Sequence, residues 1–210
     1  MSGITRLNTT TLDTQSAPSV TALSAGGYAV AWQSDGQDGS GWGIYLQRYS
    51  ATGEMAGSEL RVNTTTTGSQ TAPSVTALDN GGFLVAWESA GQDGSGSGVY
   101  SQRFDANGQA VGAETRINST TTGDQSGAAV AAGTGDGFLA TWMSQPQDGS
   151  GWGIYAGNFG GATTSQGGNG NGNGNGQGQG PLHAAAEFAP SAPFDLAGLV
   201  GVPSFEGAGA

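Results

Sequence analysis

Large and small residues alternate in short runs along the first 159 residues, and glycine-rich turns bound each run. Tyr28-Ala29-Val30-Ala31-Trp32 keeps a period of two, and Phe83-Leu84-Val85-Ala86-Trp87 follows it less strictly. That period sends successive side chains to opposite faces of a strand. Large residues on one face and alanines on the other predict a strand covered on both sides, the alanine face by something that approaches closely. The preceding run, Pro18 to Ser24, turns into this strand at Gly26-Gly27; the matching Asp79-Asn80-Gly81-Gly82 is a strong hairpin signal. The loop Gln37 to Gly43 then leads into Ile44 to Tyr49. A second turn, Ala51-Thr52-Gly53 or Ala106-Asn107-Gly108, leads into Glu59 to Asn63. Four short antiparallel strands per unit form the meander of a propeller blade or of one face of a β-prism.

The unit recurs without insertion or loss. Trp32, Trp87 and Trp142 are 55 residues apart, as are Asn8, Asn63 and Asn118, and Gln15, Gln70 and Gln125. A fixed period of this size signals stacked repeats whose neighbours supply the core. The expected organisation is an all-β domain over 1–159, pseudo-three-fold, with repeats at about 8–62, 63–117 and 118–159. The third repeat stops after Phe159 without a fourth strand, while residues 4–8 (Ile-Thr-Arg-Leu-Asn) match the fourth-strand sequence. This predicts that strand 4–8 closes the body, as a three-fold monomer or in a six-unit pair of chains, and leaves few free edges. The mid-strand tryptophans are expected in the core. Arg61 and Arg116, each two residues after Glu59 or Glu114, are expected to form an ion-pair ladder between units.

Composition narrows the partners. The formal charge is −11, from sixteen acids and five basic residues, all arginine, so nucleic acid and anionic membranes are poor partners. There is no cysteine, hence no disulfide or thiolate zinc site, and the single histidine, His183, lies in the tail. No run is long and apolar enough for a membrane helix. The N-terminus lacks a basic segment followed by an apolar run, so no cleaved secretory signal is expected. Residues 160–180, glycine with asparagine, glutamine, serine and threonine, read as a flexible linker, and 181–210 as a docking or secretion tail.

The repeated pattern runs Asp-Gln-Ser-x-Pro-Ser-Val-x-Ala-Leu-x-x-Gly-Gly-Phe-x-Val-x-Trp, then Gln-Asp-Gly-Ser-Gly-x-Gly-Ile-Tyr-x-Gln-Arg-Tyr. It is matched at Thr14–Tyr49, Ser69–Phe104 and Asp124–Phe159. It resembles the repeat of large secreted bacterial proteins of the hemolysin-type calcium-binding and adhesin group. The resemblance covers most of the chain before residue 160. It implies type I secretion through an uncleaved C-terminal signal, hence an extracellular or cell-surface location. The calcium nonapeptide of that group, Gly-Gly-x-Gly-x-Asp, has no counterpart, because Gly167 to Gly180 contains no aspartate.

The candidate chemistry lies in Gln-Asp-Gly-Ser-Gly, which starts at Gln37, Gln92 and Gln147. Asp38, Asp93 and Asp148 are candidate calcium ligands, since carboxylate and hydroxyl oxygens suit that ion, although one loop supplies fewer than the 6 to 8 that calcium takes. With Ser40, Ser95 and Ser150 they are also candidate sugar ligands. Trp42 and Trp152 follow the loop and offer flat apolar faces for a sugar ring, where the middle copy has Ser97. The competing account is local: Asp-Gly and Ser-Gly build a tight turn and the aspartate accepts backbone N–H bonds. Without cysteine, lysine or a histidine in the repeats, the usual nucleophiles and triads are missing, so the chain is expected not to be an enzyme. The expectation is a secreted binding or adhesion module, carbohydrate-binding with calcium as a candidate cofactor, acting on a glycan or cell-surface polymer as monomer or homodimer. The alternative is a purely structural repeat domain of an extracellular assembly, docked through its C-terminal tail.

Overall fold

In the computed structural model, which describes residues 4–160, the chain folds into short β-strands and turns, without helices among those residues. The first sheet runs β1 (Gln15–Ala22), β2 (Tyr28–Asp35), β3 (Trp42–Tyr49) and β4 (Leu60–Arg61). The second runs β5 (Gln70–Ala77), β6 (Phe83–Ala90), β7 (Ser97–Phe104) and β8 (Ala110–Arg116). The third has β9 (Gln125–Ala132), β10 (Phe138–Ser144) and β11 (Gly153–Phe159). Each sheet is an antiparallel meander in chain order, with first and second strands joined by the glycine hairpin. The second glycine is required by crowding: a Cβ on Gly27 or Gly82 would collide with the carbonyl of Tyr49 or Phe104 on the third strand. Of the segments expected after the repeats, the linker beyond Gly160 and the tail 181–210 lie outside the described residues.

The alternation predicted for β2 and β6 builds the core. Tyr28, Val30 and Trp32 face one side, where Tyr28 stacks on Tyr49 with ring centroids 4.9 Å apart. The same stack recurs as Phe83 on Phe104 (5.1 Å) and Phe138 on Phe159 (5.0 Å). The opposite face of the first sheet, Ala29, Ala31, Ile44 and Leu46, is wholly buried against Phe83, Val85, Trp87, Tyr100 and Phe104 of the second. The small side chains are the surface that the next sheet approaches, as alternation implied. Leu84, Ala86 and Val99 pack in the same way on Phe138, Ala140 and Trp142 of the third. Trp32, Trp87 and Trp142 are 4%, 0% and 8% exposed, so they are core residues as expected.

Polar side chains pin the units in register. Asn63 Oδ1 accepts the N–H of Ile44 (2.7 Å), while its Nδ2 donates to Gln70 Oε1 of the next unit (3.0 Å). Asn118 does the same with Val99 (2.7 Å) and Gln125 (2.8 Å). All four side chains are at most 2% exposed, which makes these bonds costly to lose. Each first strand also carries a bulge, at Ala17, Ala72 and Gly127, all left-handed (φ 50°, 51° and 66°). The bulge turns an N–H toward the preceding unit: Ala72 donates to Gln33 Oε1 (2.9 Å) and Gly127 to Glu88 Oε1 (2.7 Å).

Two expectations are corrected. Residues 4–8 do not close a three-fold monomer: among the described residues β11 pairs with β10 alone, and the N-terminal segment lies on its own first unit. There Leu7 packs with Val30, Trp32, Tyr45 and Tyr49, and its carbonyl accepts Tyr49 Oη (2.7 Å). The segment enters the first sheet just as Val62 enters the second, so its own downstream sheet claims it first. The ion-pair ladder is also replaced. Glu59 and Glu114 take hydrogen bonds from threonine and glutamine, and Arg116 Nε donates to the Asn118 carbonyl (2.9 Å), because the carboxylates are the nearest acceptors for the orphan N–H groups of the incoming segment.

Asn63→Ala would strand the Ile44 N–H and the Gln70 side chain inside the protein. It is expected to cost ~2–5 kcal/mol in urea denaturation, with Asn118→Ala alike. Asn8→Ala, whose side chain bonds only Thr10 and Gln15, should cost less.

Candidate functional site

Each Gln-Asp-Gly-Ser-Gly string joins the second strand of its sheet to the third. Its geometry is that of a held turn. Asp38, Asp93 and Asp148 each accept, at Oδ1, the N–H of Ser40, Ser95 or Ser150 two residues on (3.1, 3.2 and 3.1 Å). Gly39, Gly94 and Gly149 sit at φ 91°, 94° and 85°, a region that side chains with a Cβ rarely enter, which is why glycine follows the aspartate. Gly36 N–H to the Gly41 carbonyl and Gly91 N–H to the Gly96 carbonyl (both 2.6 Å) close the first two loops.

A glutamate anchors each of the first two loops from below. Glu59 Oε1 accepts Gln37 Nε2 (2.7 Å), and its Oε2 accepts both the N–H and hydroxyl of Thr9 (2.7 Å each). Glu114 repeats this with Gln92 (2.6 Å) and Thr64 (2.7 and 3.0 Å). Partial burial of Glu59 disfavours its charge, but hydrogen bonds from Gln37, Thr9 and Thr10 outweigh it and hold the carboxyl below its ordinary 4.5. Burial first, and then the charge of Asp38 or Asp93, pushes the hydroxyls of Tyr45 and Tyr100 up. The sequence carried a sign of these anchors in the 55-residue recurrence of Asn, Gln and Glu, but which recurrent residue touches which depends on the stacking.

The three loops differ in surroundings. In the second, Ser97 N–H donates to Asp124 Oδ1 (2.9 Å) and Ser95 Oγ accepts Gly123 N–H (3.3 Å), so the loop clamps the following unit. The first lies against Gly68 and Ser69 of the second unit at Gly41. The third, with Asp148 and Ser150, is exposed along its length, and Trp152 is 49% exposed; Trp42 is half-buried. Trp42 and Trp152 therefore both retain open ring surface beside a held carboxylate, as a sugar platform requires.

The aspartates do not converge. They stand in three separate loops, and among the described residues no group of three or more His, Cys, Asp or Glu side chains is placed to hold a metal ion. In the first loop Asp38 Oδ2 and Gln37 Oε1 are buried without a hydrogen-bond donor, and Gln92 Oε1 repeats the latter in the second. Two free oxygens fall short of the 6 to 8 that calcium takes, so the side chains of one loop do not by themselves fit the ion. A hollow of about 140 Å³ lined by Leu78, Arg103, Phe104, Val111 and Asp136 holds none of the loop residues. It is smaller than the ~300–1,000 Å³ of sites that enclose small molecules.

The described residues thus define an all-β repeat protein of small antiparallel sheets with turn-held polar loops. No family model and no curated protein matches the sequence. Among solved structures the chain is similar to the endo-arabinase from Bacteroides thetaiotaomicron VPI-5482, with TM-score 0.46 and 15% identity, over 68% of this chain and 55% of that one. The chain thus spans little more than half of that structure's length. That protein is an enzyme, an endo-arabinase, and against this likeness the expectation that the chain is no enzyme is withdrawn.

The lowered Glu59 carboxyl gives a signed pH dependence. Its stabilisation is fully present above the ordinary glutamate value of 4.5 and is lost as pH falls through its lower folded value. Glu59→Gln is expected to melt lower than the parent at neutral pH. Its melting temperature should fall less than the parent's as the buffer is taken below that value.

Proposed function

We propose that the protein binds a neutral glycan outside the cell, through Trp42 with Asp38 and Ser40 and through Trp152 with Asp148 and Ser150. Its three sheets would be the blades of a propeller-like body. The observation that carries this is the exposed Trp152 indole on a loop whose aspartate is fixed by its own turn. A platform of this kind loses little conformational freedom on binding, and an aromatic face with adjacent hydroxyl and carboxylate oxygens suits the two surfaces of a sugar. The net charge of −11 favours a neutral polymer over an anionic one. The resemblance of the repeat to those of secreted bacterial proteins supports the location.

The middle loop takes a different part. With Ser97 in place of tryptophan, and with Ser95 engaged by Gly123 and Asp124 by Ser97, Asp93 and Ser95 serve cohesion between units. This favours the structural reading for that loop alone. Calcium enters as a second arm of the test, because the donor-free oxygens of Gln37 and Asp38 would need further ligands from a bound sugar or water.

A glycan array read with and without calcium identifies the ligand class. For the bound sugar, Trp152→Ala is expected to weaken Kd at least about tenfold, ~1.4 kcal/mol, with the melting temperature unchanged. Retention of full affinity by Trp42→Ala and Trp152→Ala together, or silence across neutral glycans, would sink the proposal.

A further inference from the structure

The interface between units has two unlike sides, and the described residues carry one copy of each side unused. Within the chain, the small-residue face and third-strand edge of one sheet receive a short segment and then the aromatic face of the next sheet. Val62 N–H donates to the Ile44 carbonyl (2.7 Å) and Ile44 N–H to Asn63 Oδ1 (2.7 Å). Ile117, Val99 and Asn118 repeat both bonds at 2.7 Å. Ile44 and Val99, at the centre of these contacts, are 0% exposed.

The third sheet presents the same face without a successor. Ile154, the counterpart of Ile44 and Val99, is 77% exposed, and Leu139, the counterpart of Ala29 and Leu84, is 37% exposed. Among the described residues nothing pairs with the outer edge of β11. One period beyond the 114–118 segment the sequence reads Asn169-Gly170-Asn171-Gly172-Asn173, with no apolar side chain where Val62 and Ile117 stand. The opposite side of the interface is complete at the other end of the chain. Leu7 already sits on the aromatic face of the first sheet, and Asn8 already bonds Gln15 Oε1 (3.2 Å), as Asn63 bonds Gln70. The Oδ1 atoms of Asn63 and Asn118 accept the N–H of Ile44 and Val99 on the preceding unit's third strand, whereas the bonds of Asn8 to Thr10 and Gln15 run through its Nδ2.

We infer that residues 4–8 of a second copy of this chain dock on the β11 edge and exposed face of the third sheet, extending the internal repeat interface from one molecule to the next. Leu7 N–H meets the Ile154 carbonyl, Ile154 N–H meets Asn8 Oδ1, and Leu7 fills the place of Val62. The contact is heterologous, so two chains that exchange it reciprocally close a six-sheet ring, and a rotation that does not close yields a filament. Ile4 stands where Glu59 and Glu114 do, so the carboxylate anchor is not reproduced at this junction. Trp42 stays half-exposed although its own sheet is packed in this way, so the contact leaves Trp152 open to ligand.

The register names a covalent test. Leu46 pairs with Leu60 and Ser101 with Thr115, which places Thr5 opposite Ala156 across the new junction. Both residues are exposed and the chain has no cysteine of its own. Oxidised full-length protein carrying Thr5→Cys and Ala156→Cys is expected to run as a cross-linked dimer or higher species in denaturing, non-reducing gels, and to return to monomer on reduction. Light scattering should give the parent at least twice 20.7 kDa at micromolar concentration, and Ile154→Asp should reduce it to 20.7 kDa with its circular dichroism retained. A disulfide formed within one chain, no disulfide at all, or a parent protein of 20.7 kDa would overturn the inference.

Discussion

Everything in this structure depends on one seam, in which a sheet's small-residue face lies against the aromatic face of the next. Ala29, Ala31, Ile44 and Leu46 share one face of their own four-stranded sheet, and that face is buried because Phe83, Trp87 and Phe104 of the next sheet come down on it. A meander of short strands cannot cover both of its faces, so each unit is stable only as part of a stack. The buried Asn63 and Asn118 fix where the stack steps. Each satisfies an N–H of one sheet and a glutamine of the next, so a slip by one residue would leave several buried polar groups without partners.

The same seam explains why identical polar strings come to differ. The Asp-Gly-Ser-Gly turn is built locally and looks alike three times, yet Ser95 clamps the unit that follows it while Ser150 faces solvent. Position in the stack, and not the string, separates cohesion from exposure. The open loop is also the one beside Ile154, so the most accessible polar chemistry and the most exposed apolar side chain of the third sheet lie together at the end of the stack.

The fold was largely legible in the chain. The period of two on β2 and β6, the glycine hairpins and the gapless 55-residue interval gave strand positions, the buried tryptophans and the role of the alanines, because alternation and turn chemistry act within a few residues. The turn role of Asp38, Asp93 and Asp148 was legible for the same reason, since its acceptor and donor are two residues apart. Less legible was the task of the recurrent Glu59 and Glu114. Their partners, Thr9 and Thr64, lie 50 residues away, and spacing alone offered the nearer arginines.

What the sequence by itself determined is the unit: its strands, its two unlike faces and its held loops, all consequences of short-range sterics and alternation. Only the tertiary structure decided how the units meet. Residues 4–8 match a fourth strand equally well for any unit, and the aromatic face of the first sheet takes them because burying Leu7 there requires no ring closure. Only the stack shows that, among the described residues, one β-edge and one apolar face remain at the far end, since exposure belongs to the assembled surface and not to any repeat within it.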